Sequence, residues 1–309
     1  MSTADLHWAL LDLAGWAPDA MLYTTRELLA ADRRDDVERA IGFLTGIAER
    51  RPAAAQCFVY TSGPDGGSFA DLTGPESPLD AVDRAAILAT EDEAAGLWRV
   101  WRTPANGSPW PSPRRVYLVQ ARHEDPGRLA GLTGRMQQAL LHAGEQHPLV
   151  EVFRDHTNLT LYHRSAFASS ALLWADRPAS RVRIAALFDP VGTVGGPGFA
   201  GRSTLAESER AQMLSYLNSG MPLFLTTTRM DDLIDPARQA AVPMGFRTDG
   251  MWIWSDATTY YLDEHGIVPD AELHAHICEQ GGQIPKVDMV AAHRALAALR
   301  AAAEHPEDF

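Results

Sequence analysis

The chain has 309 residues, 46% of them hydrophobic, so it can bury a core in one large or two modest domains and is not globally disordered. Its 40 acidic and 27 basic residues give a formal net charge of −13, which disfavours nucleic acid and anionic membranes as partners. That charge suits a basic protein partner, and the alternative is that acidity only keeps the protein soluble.

The N-terminus is acidic where a signal peptide is positively charged, and no apolar run approaches ~18 residues. Cys57 and Cys278 are the only cysteines, too few for a disulfide framework. We therefore expect a cytoplasmic protein that does not enter a membrane.

The first half of the chain is predicted to mix helices with short strands. We predict helices where apolar residues recur at helical spacing and strands where runs of buried-type residues occur. Stretches rich in Gly, Pro and Ser are predicted to be loops. The predicted segments are helices over 5–50, a strand at 57–60, a loop at 61–78, a helix over 80–97 turning extended at 97–101, a loop at 103–113, a strand at 116–119 and a helix over 126–143.

The second half is predicted to contain a sheet. The predicted strands are 149–153, 159–162, 171–174, 181–188 and 223–228. Thr204 and Glu207 have the spacing of a capping box, which predicts a helix from there to Asn218. A strand, a crossover helix and a strand would form a right-handed parallel unit. A last helix is predicted over 287–303.

The segment 244–280 has the clearest local signals in the chain. Asp249 and Gly250 favour a tight turn, which predicts a β-hairpin over 246–254. Ser255 is a suitable N-cap and Gly266 a suitable terminator for a helix over 257–264. A second short helix is predicted to begin after Asp270.

The strings RTDG-x-W-x-W, from Arg247 to Trp254, and YYL-x-EHG-x-x-P, from Tyr260 to Pro269, lie in this segment. Residues 222–280 resemble a C-terminal module of uncharacterised proteins from high-GC bacteria, some of which look like immunity or accessory partners of secreted toxins. The resemblance implies a binding role and transfers no catalytic residue.

The glycine-rich loop over 189–204 is the sharpest chemical candidate, because it leaves a predicted strand and enters a helix N-terminus, where anions bind. Its sequence resembles the phosphate-binding loop of P-loop nucleotide hydrolases, but an arginine replaces the lysine and Pro197 removes an N–H donor. A plain flexible loop is the alternative. The candidate anion-binding residues are Asp189, Gly196, Gly198, Gly201, Arg202 and Ser203, together with Asp231 and Asp232 in the acidic turn over 231–235.

Two other groups of polar residues have simpler explanations. His274, His276 and Cys278 are of metal-ligand type, but only the first and third share a helix face, and zinc needs three or four converging ligands. Asp155 and His156 beside His163 and Arg164 suit an acid–base group, but a hairpin turn between two predicted strands is the preferred explanation. We therefore expect no metal and no cofactor.

Trp252 and Trp254 have even spacing, so they face the same side of the predicted strand. An exposed pair would form a partner-binding anchor together with Arg247 and Asp249, whereas a covered pair would be core.

The sequence thus predicts an α+β protein, with mixed α/β as the alternative. A helical or mixed N-terminal region spans 1–147, and a sheet-containing domain spans 148–309. The predicted function is non-catalytic binding of a basic protein, as in an immunity or chaperone-like protein, without nucleic acid or membrane. The alternative is an enzyme that binds a nucleotide or phosphometabolite through the 189–204 loop and the 231–235 aspartates.

Overall fold

The protein folds into two compact units, residues 1–179 (unit 1) and 180–309 (unit 2), and each combines helices with β-sheet. The class is therefore α+β, as the sequence predicted. The computed structural model describes residues 1–48, 58–64, 66–67, 69–90, 92–104, 113–123, 125–154, 159–189, 198–199 and 202–304. Within these ranges, no helix is both long and apolar enough to cross a membrane.

Unit 1 begins with three helices and continues with strands and further helices. In chain order the described elements are α1 Thr3–Asp12, α2 Asp19–Ala30, α3 Arg34–Ala48, β1 Phe58–Thr61, β2 Ala70–Asp71, α4 Ala81–Thr90, β3 Ala94–Pro104, β4 Arg114–Ala121, α5 Pro126–His142, β5 Leu149–Phe153, α6 Leu161–Phe167 and β6 Ala171–Ala175.

The strands of unit 1 form one mixed sheet in the order β2-β6-β3-β4-β5, and β1 pairs with the second half of β3. β4 and β5 are parallel, with Val116 opposite Leu149. β5 and β6 therefore belong to unit 1. The boundary lies after residue 179 rather than at the predicted 147, because strand pairing joins residues from both sides of that position.

The core of unit 1 lies between the sheet and its helices. Leu97, Tyr117 and Val152 of the sheet pack with Leu132 and Met136 of α5 in one buried cluster. α1, α2 and α3 form a second cluster, and Ala130 of α5 contributes to it. α5 thus contacts both the sheet and the N-terminal helices.

Helices cover the edge strand β5, whose five residues are all buried. His7 of α1 donates from Nε2 to the carbonyl oxygen of Val152 over 2.8 Å. Arg26 of α2 donates to both carboxylate oxygens of Glu151, over 2.9 and 2.5 Å, and His163 of α6 lies 3.2 Å from the same carboxylate. An exposed edge would recruit other strands, and these helices prevent that.

Unit 2 has short strands and four helices among the described residues. In chain order they are β7 Arg183–Ile184, α7 Glu207–Ser219, β8 Met221–Phe224, β9 Arg229–Met230, β10 Val242–Pro243, β11 Phe246–Thr248, β12 Trp252–Ser255, α8 Asp256–His265, α9 Ala271–Glu279 and α10 Met289–Glu304. Its main sheet has the order β7-β12-β11-β8, and β9 pairs with β10 separately.

The hairpin and the two helices after it confirm the sequence prediction for this segment. β11 and β12 pair antiparallel, and Gly250 in the turn has a φ of +92°. The hydroxyl of Ser255 accepts the amide of Ala257, and Gly266 ends α8 with a φ of +67°. Asp270 caps α9. The sequence is sufficient to predict this segment because the turn, the two helix caps and the helix terminator each depend on residues close to them in the chain.

Four predictions for other elements are wrong. Residues 159–162 lead into α6, where His163 and Ala166 are buried at helical spacing. Of the predicted strand over 181–188, only Arg183 and Ile184 are in a strand. α4 ends at Thr90, because the following residues pair with two strands. β12 and β11 separate β7 from β8, so those two strands do not form the predicted parallel unit.

The predicted capping box is also wrong. α7 begins at Glu207, and Ala206 at the N-cap position offers no side-chain hydrogen bond. Thr204 instead forms an isolated antiparallel bridge with Ile267. Tertiary pairing therefore overrides the local capping signal at this position.

The His7 contact predicts a pH-dependent stability. Burial lowers the pKa of His7 to about 4 from 6.5, although the hydrogen bond to Val152 opposes this effect. The unfolded chain therefore binds the proton first, and the unfolding free energy should fall by roughly 3 kcal/mol as the pH drops from 6.5 to 4. Urea unfolding at stepped pH measures this fall. His7→Gln keeps a donor without a titratable charge and should lose this part of the slope, whereas an unchanged slope contradicts the assignment.

Candidate functional site

The carboxylate of Asp249 organises the hairpin of unit 2. Its Oδ1 accepts the backbone amides of Met251 and Trp252, over 2.8 and 2.7 Å. Its Oδ2 accepts the hydroxyl of Tyr216 and lies 2.6 Å from Nε2 of His276. The sequence pointed to Asp249 as a turn residue, but it did not indicate Tyr216 or His276 as partners from α7 and α9.

The other three residues of the predicted partner-binding anchor are also engaged within unit 2. Trp252 and Trp254 lie on β12 in one hydrophobic cluster, which confirms that they share a face, and they are 6% and 0% exposed. The indole of Trp254 donates to the Leu217 carbonyl over 3.2 Å. Arg247 donates to the carboxylate of Asp256 over 2.7 Å. This burial favours the core interpretation of the tryptophan pair.

The glycine-rich loop lies only partly within the described residues. Gly196 and Gly201 fall outside them, as do Asp155 and His156 of the predicted acid–base group. His163 of that group is fully buried between Glu151 and the hydroxyl of Thr160. The loop residues that the structure describes are Asp189, Gly198, Phe199, Arg202, Ser203 and Thr204.

Arg202 has an internal role in unit 2. Its Nε donates to Asp189 over 2.8 Å, and its terminal nitrogens donate to the carbonyl oxygens of Ala186 and Val268, over 2.9 and 3.4 Å. The first turn of α7 carries Glu207 and Glu209, which repel an anion at that helix end. The described geometry therefore suits a structural clamp better than a phosphate site.

The acidic turn is held by its own hydrogen bonds, and it follows β9 rather than the predicted strand at 223–228. Asp231 accepts the amide of Ala240 over 2.8 Å. Asp232 accepts the hydroxyl of Tyr260 over 3.0 Å and lies 2.6 Å from Nε2 of His265. Burial raises the pKa of Asp232, but hydrogen bonds from His265, two backbone amides and Tyr260 lower it to about 2. The turn is thus fastened to α8.

The metal-ligand types on α9 do not converge. Sγ of Cys278 lies 3.8 Å from Nε2 of His274, while His276 points to Asp249. In the described parts of the chain, no three His, Cys, Asp or Glu side chains are placed to hold a metal ion.

A groove in unit 1 is the strongest candidate for a binding site, and α4 forms one of its walls. Asp83 of α4 is completely buried and accepts a hydrogen bond from Arg99 of β3. It also accepts the hydroxyl of Tyr117 of β4 over 2.9 Å. Arg99 donates in turn to the carbonyl oxygen of Ser62 over 2.9 Å. These bonds fix the orientation of α4 on the sheet, and they therefore determine the direction in which the side chain of Leu88 points.

α2 and α5 form the other side of the groove, and they approach closely. A β-carbon at Gly134 of α5 would lie only 2.5 Å from the β-carbon of Ala30 of α2. The ion pair between Arg26 and Glu151 holds α2 against the sheet, one turn before this helix ends at Ala30. Small residues therefore bring the helix backbones together and leave space above them.

The resulting groove has a volume of about 740 Å³ and is lined by residues of α2, α4, α5 and the turn before β3. The lining residues are Ala30, Leu88, Ala89, Asp92, Glu93, Gly131, Gly134, Arg135 and Gln138. Leu88 is 75% exposed, and the other apolar residues of the floor are Ala or Gly. A bulky aliphatic side chain fits such a surface.

The rim of the groove is acidic. Asp92 is exposed, Glu93 forms an ion pair with Arg135, and Glu27 accepts a hydrogen bond from Gln138. Two carboxylates of the lining thus lie beside one guanidinium, and Glu27 lies next to the lining at Gln138. Sequence reasoning missed this site, although the Gly131-x-x-Gly134 spacing on an otherwise amphipathic helix was a signal for it.

Comparisons with protein-family models, with curated proteins and with solved structures found no match to this chain.

Burial of the tryptophan pair predicts a large loss of stability on truncation. Trp254→Ala should lower the free energy of unfolding of unit 2 by about 3–5 kcal/mol, because it leaves a cavity beside α7. Met251→Ala removes a half-exposed side chain of the same hairpin and should change stability by less than about 0.5 kcal/mol. Urea unfolding compares the two variants, and a Trp254 variant as stable as its control would refute the core role.

The Arg202 clamp predicts an effect on stability without nucleotide binding. Arg202→Ala should lower the melting temperature, because it removes bonds to Asp189 and to two backbone carbonyls. Calorimetry with ATP or GTP and magnesium should detect no binding to the unaltered protein. Micromolar binding that Arg202→Ala abolishes would instead favour the nucleotide-binding alternative.

Proposed function

We propose that this protein is a non-catalytic protein-binding protein whose unit 1 groove receives an amphipathic helix of a basic partner, and that it acts in the cytoplasm. The observation that carries the proposal is the groove between α2, α4 and α5, with a largely exposed leucine and an acidic rim. The resemblance of residues 222–280 to modules of immunity-like or accessory proteins supports the same class.

The shape of the groove favours a helical ligand. Amphipathic helices bind grooves by inserting apolar anchors at a spacing of three or four residues. The floor of Ala30, Ala89, Gly131 and Gly134 leaves depth for one such anchor, and Leu88 provides a second contact at the edge. Covering an exposed leucine contributes about 1.5–3 kcal/mol, so a few contacts of this kind carry most of the affinity.

The charge of the groove favours lysine and arginine beside those anchors. Asp92 and Glu93 of the lining outnumber Arg135, Glu27 lies next to them at Gln138, and the whole chain carries a net charge of −13. Complementary charge mainly speeds association and excludes wrong partners. Association should therefore slow as salt rises, while the apolar anchors sustain the complex once it has formed.

The enzyme alternative receives less support from the described residues. Arg202 and Asp189 bond to each other, and the aspartates of the acidic turn accept hydrogen bonds from their own backbone and from α8. No observation places a substrate-sized space beside them within the described ranges.

Groove variants test the proposal. Leu88→Ala removes an exposed contact, and Gly131→Leu fills the groove where a β-carbon would meet only Nη1 of Arg135 at 3.7 Å. At low salt, the unaltered protein should retain a stoichiometric partner from native extract. The two variants should keep the fold but lose this partner. Native mass spectrometry and circular dichroism measure the two properties.

Leu161→Ala is the matched control, because Leu161 is 80% exposed in the same unit and lies outside the groove. It should retain the partner. Equal retention by all three variants, or no stoichiometric partner at low or high salt, would contradict the proposal.

A further inference from the structure

The strand β7 is an edge of the unit 2 sheet. The amides of Arg183 and Ala185 donate to Met251 and Ile253 of β12, over 2.9 and 2.8 Å. Successive residues of a strand direct their backbone groups to opposite sides, so the N–H and C=O of Ile184 point away from β12. Among the described strands, none pairs with β7 on that outer side.

A pocket of about 450 Å³ runs along this edge. Four consecutive residues from Arg181 to Ile184 line it, although Arg183 and Ile184 of β7 direct their side chains to opposite faces of the sheet. The pocket therefore follows the backbone edge rather than one face. Asp270 and Glu272 at the start of α9 line the same pocket, and so do Ala298 of α10 and the ring of Trp252.

One charge in this pocket remains uncompensated within the described residues. Arg183 lies over the ring of Trp252, 5.4 Å from its centroid, and donates to Glu272 over 2.6 Å. Asp270 accepts two amides of α9. Arg181 is exposed, and no described side chain forms an ion pair with it.

We propose that the outer edge of β7 binds an extended peptide segment, which adds to the sheet as a strand and places a carboxylate on Arg181. Strand addition uses main-chain hydrogen bonds for affinity and side-chain pockets for specificity. The outward N–H and C=O of Ile184 supply the main-chain bonds, and the 450 Å³ pocket supplies the side-chain contacts. This acidic, extended ligand differs from the basic helix proposed for the unit 1 groove, so either site can fail without the other.

A display library of random linear peptides is the probe for this site. Selection on the full chain should enrich extended sequences that contain Asp or Glu. Arg181→Glu reverses an exposed charge and should weaken the selected peptides at least tenfold, as should replacing their acidic residue by the amide. Lys286→Gln removes another exposed charge of unit 2, outside the pocket, and should leave binding unchanged.

Hydrogen exchange of the Ile184 amide tests strand addition directly. A bound peptide should slow this exchange, while the amides of Arg183 and Ala185, already bonded to β12, change little. Ile184→Pro removes the outward N–H and should abolish binding, and Ile184→Val should retain it.

Three results would overturn the proposal. The library could yield no enriched peptide, the peptides could bind the Arg181→Glu chain equally well, or Ile184 could stay unprotected in their complexes. Protection of Ile184 in the free protein that rises with protein concentration would show instead that a second copy of the chain occupies this edge.

Discussion

The buried contact between Arg26 and Glu151 is the interaction on which unit 1 depends. Both side chains are at most 5% exposed, and His163 shares the carboxylate. Burial raises the pKa of Glu151, but Arg26 and His163 lower it by a larger amount. The pKa of this carboxyl is therefore below its usual value, and the group stays ionised. Removing one member of such a pair typically costs 3–5 kcal/mol, because the other charge remains buried without compensation.

The pair also determines the proposed binding site. It fastens α2 to the edge strand β5, and the same helix ends at Ala30 against Gly134 of α5. The bonds of Asp83 to β3 and β4 fix α4 independently. The groove is therefore the space that three separately anchored helices leave open, and it needs no mobile segment to form.

Local signals explain how much of the fold could be predicted. The hairpin with Asp249 and Gly250, the Ser255 cap and the Gly266 terminator each act within a few residues, and all are present. The errors at 159–162 and at Thr204 occur where long-range pairing or packing decides the conformation. Short apolar runs are ambiguous between strand and helix for the same reason.

The candidate site was harder to predict than the fold. Tryptophans and charged residues are the usual candidates for a binding site in a sequence. In this structure, however, Trp252 and Trp254 are buried in the core of unit 2, and Arg202 bonds to Asp189 within the same unit. Four of the nine lining residues are Ala or Gly from helices far apart in the chain, and apart from the Gly131-x-x-Gly134 spacing they give no signal in the sequence. Only the three-dimensional arrangement shows that Leu88 is left uncovered beside them.

Photocrosslinking in native cells tests the central claim most directly. A benzophenone amino acid at position 88 should form one discrete adduct with a basic protein, and Gly131→Leu in the same chain should abolish that adduct. The same label at position 161 should not form it. Adducts of equal yield from both positions, or none from position 88, would contradict the assignment of the groove as a protein-binding site.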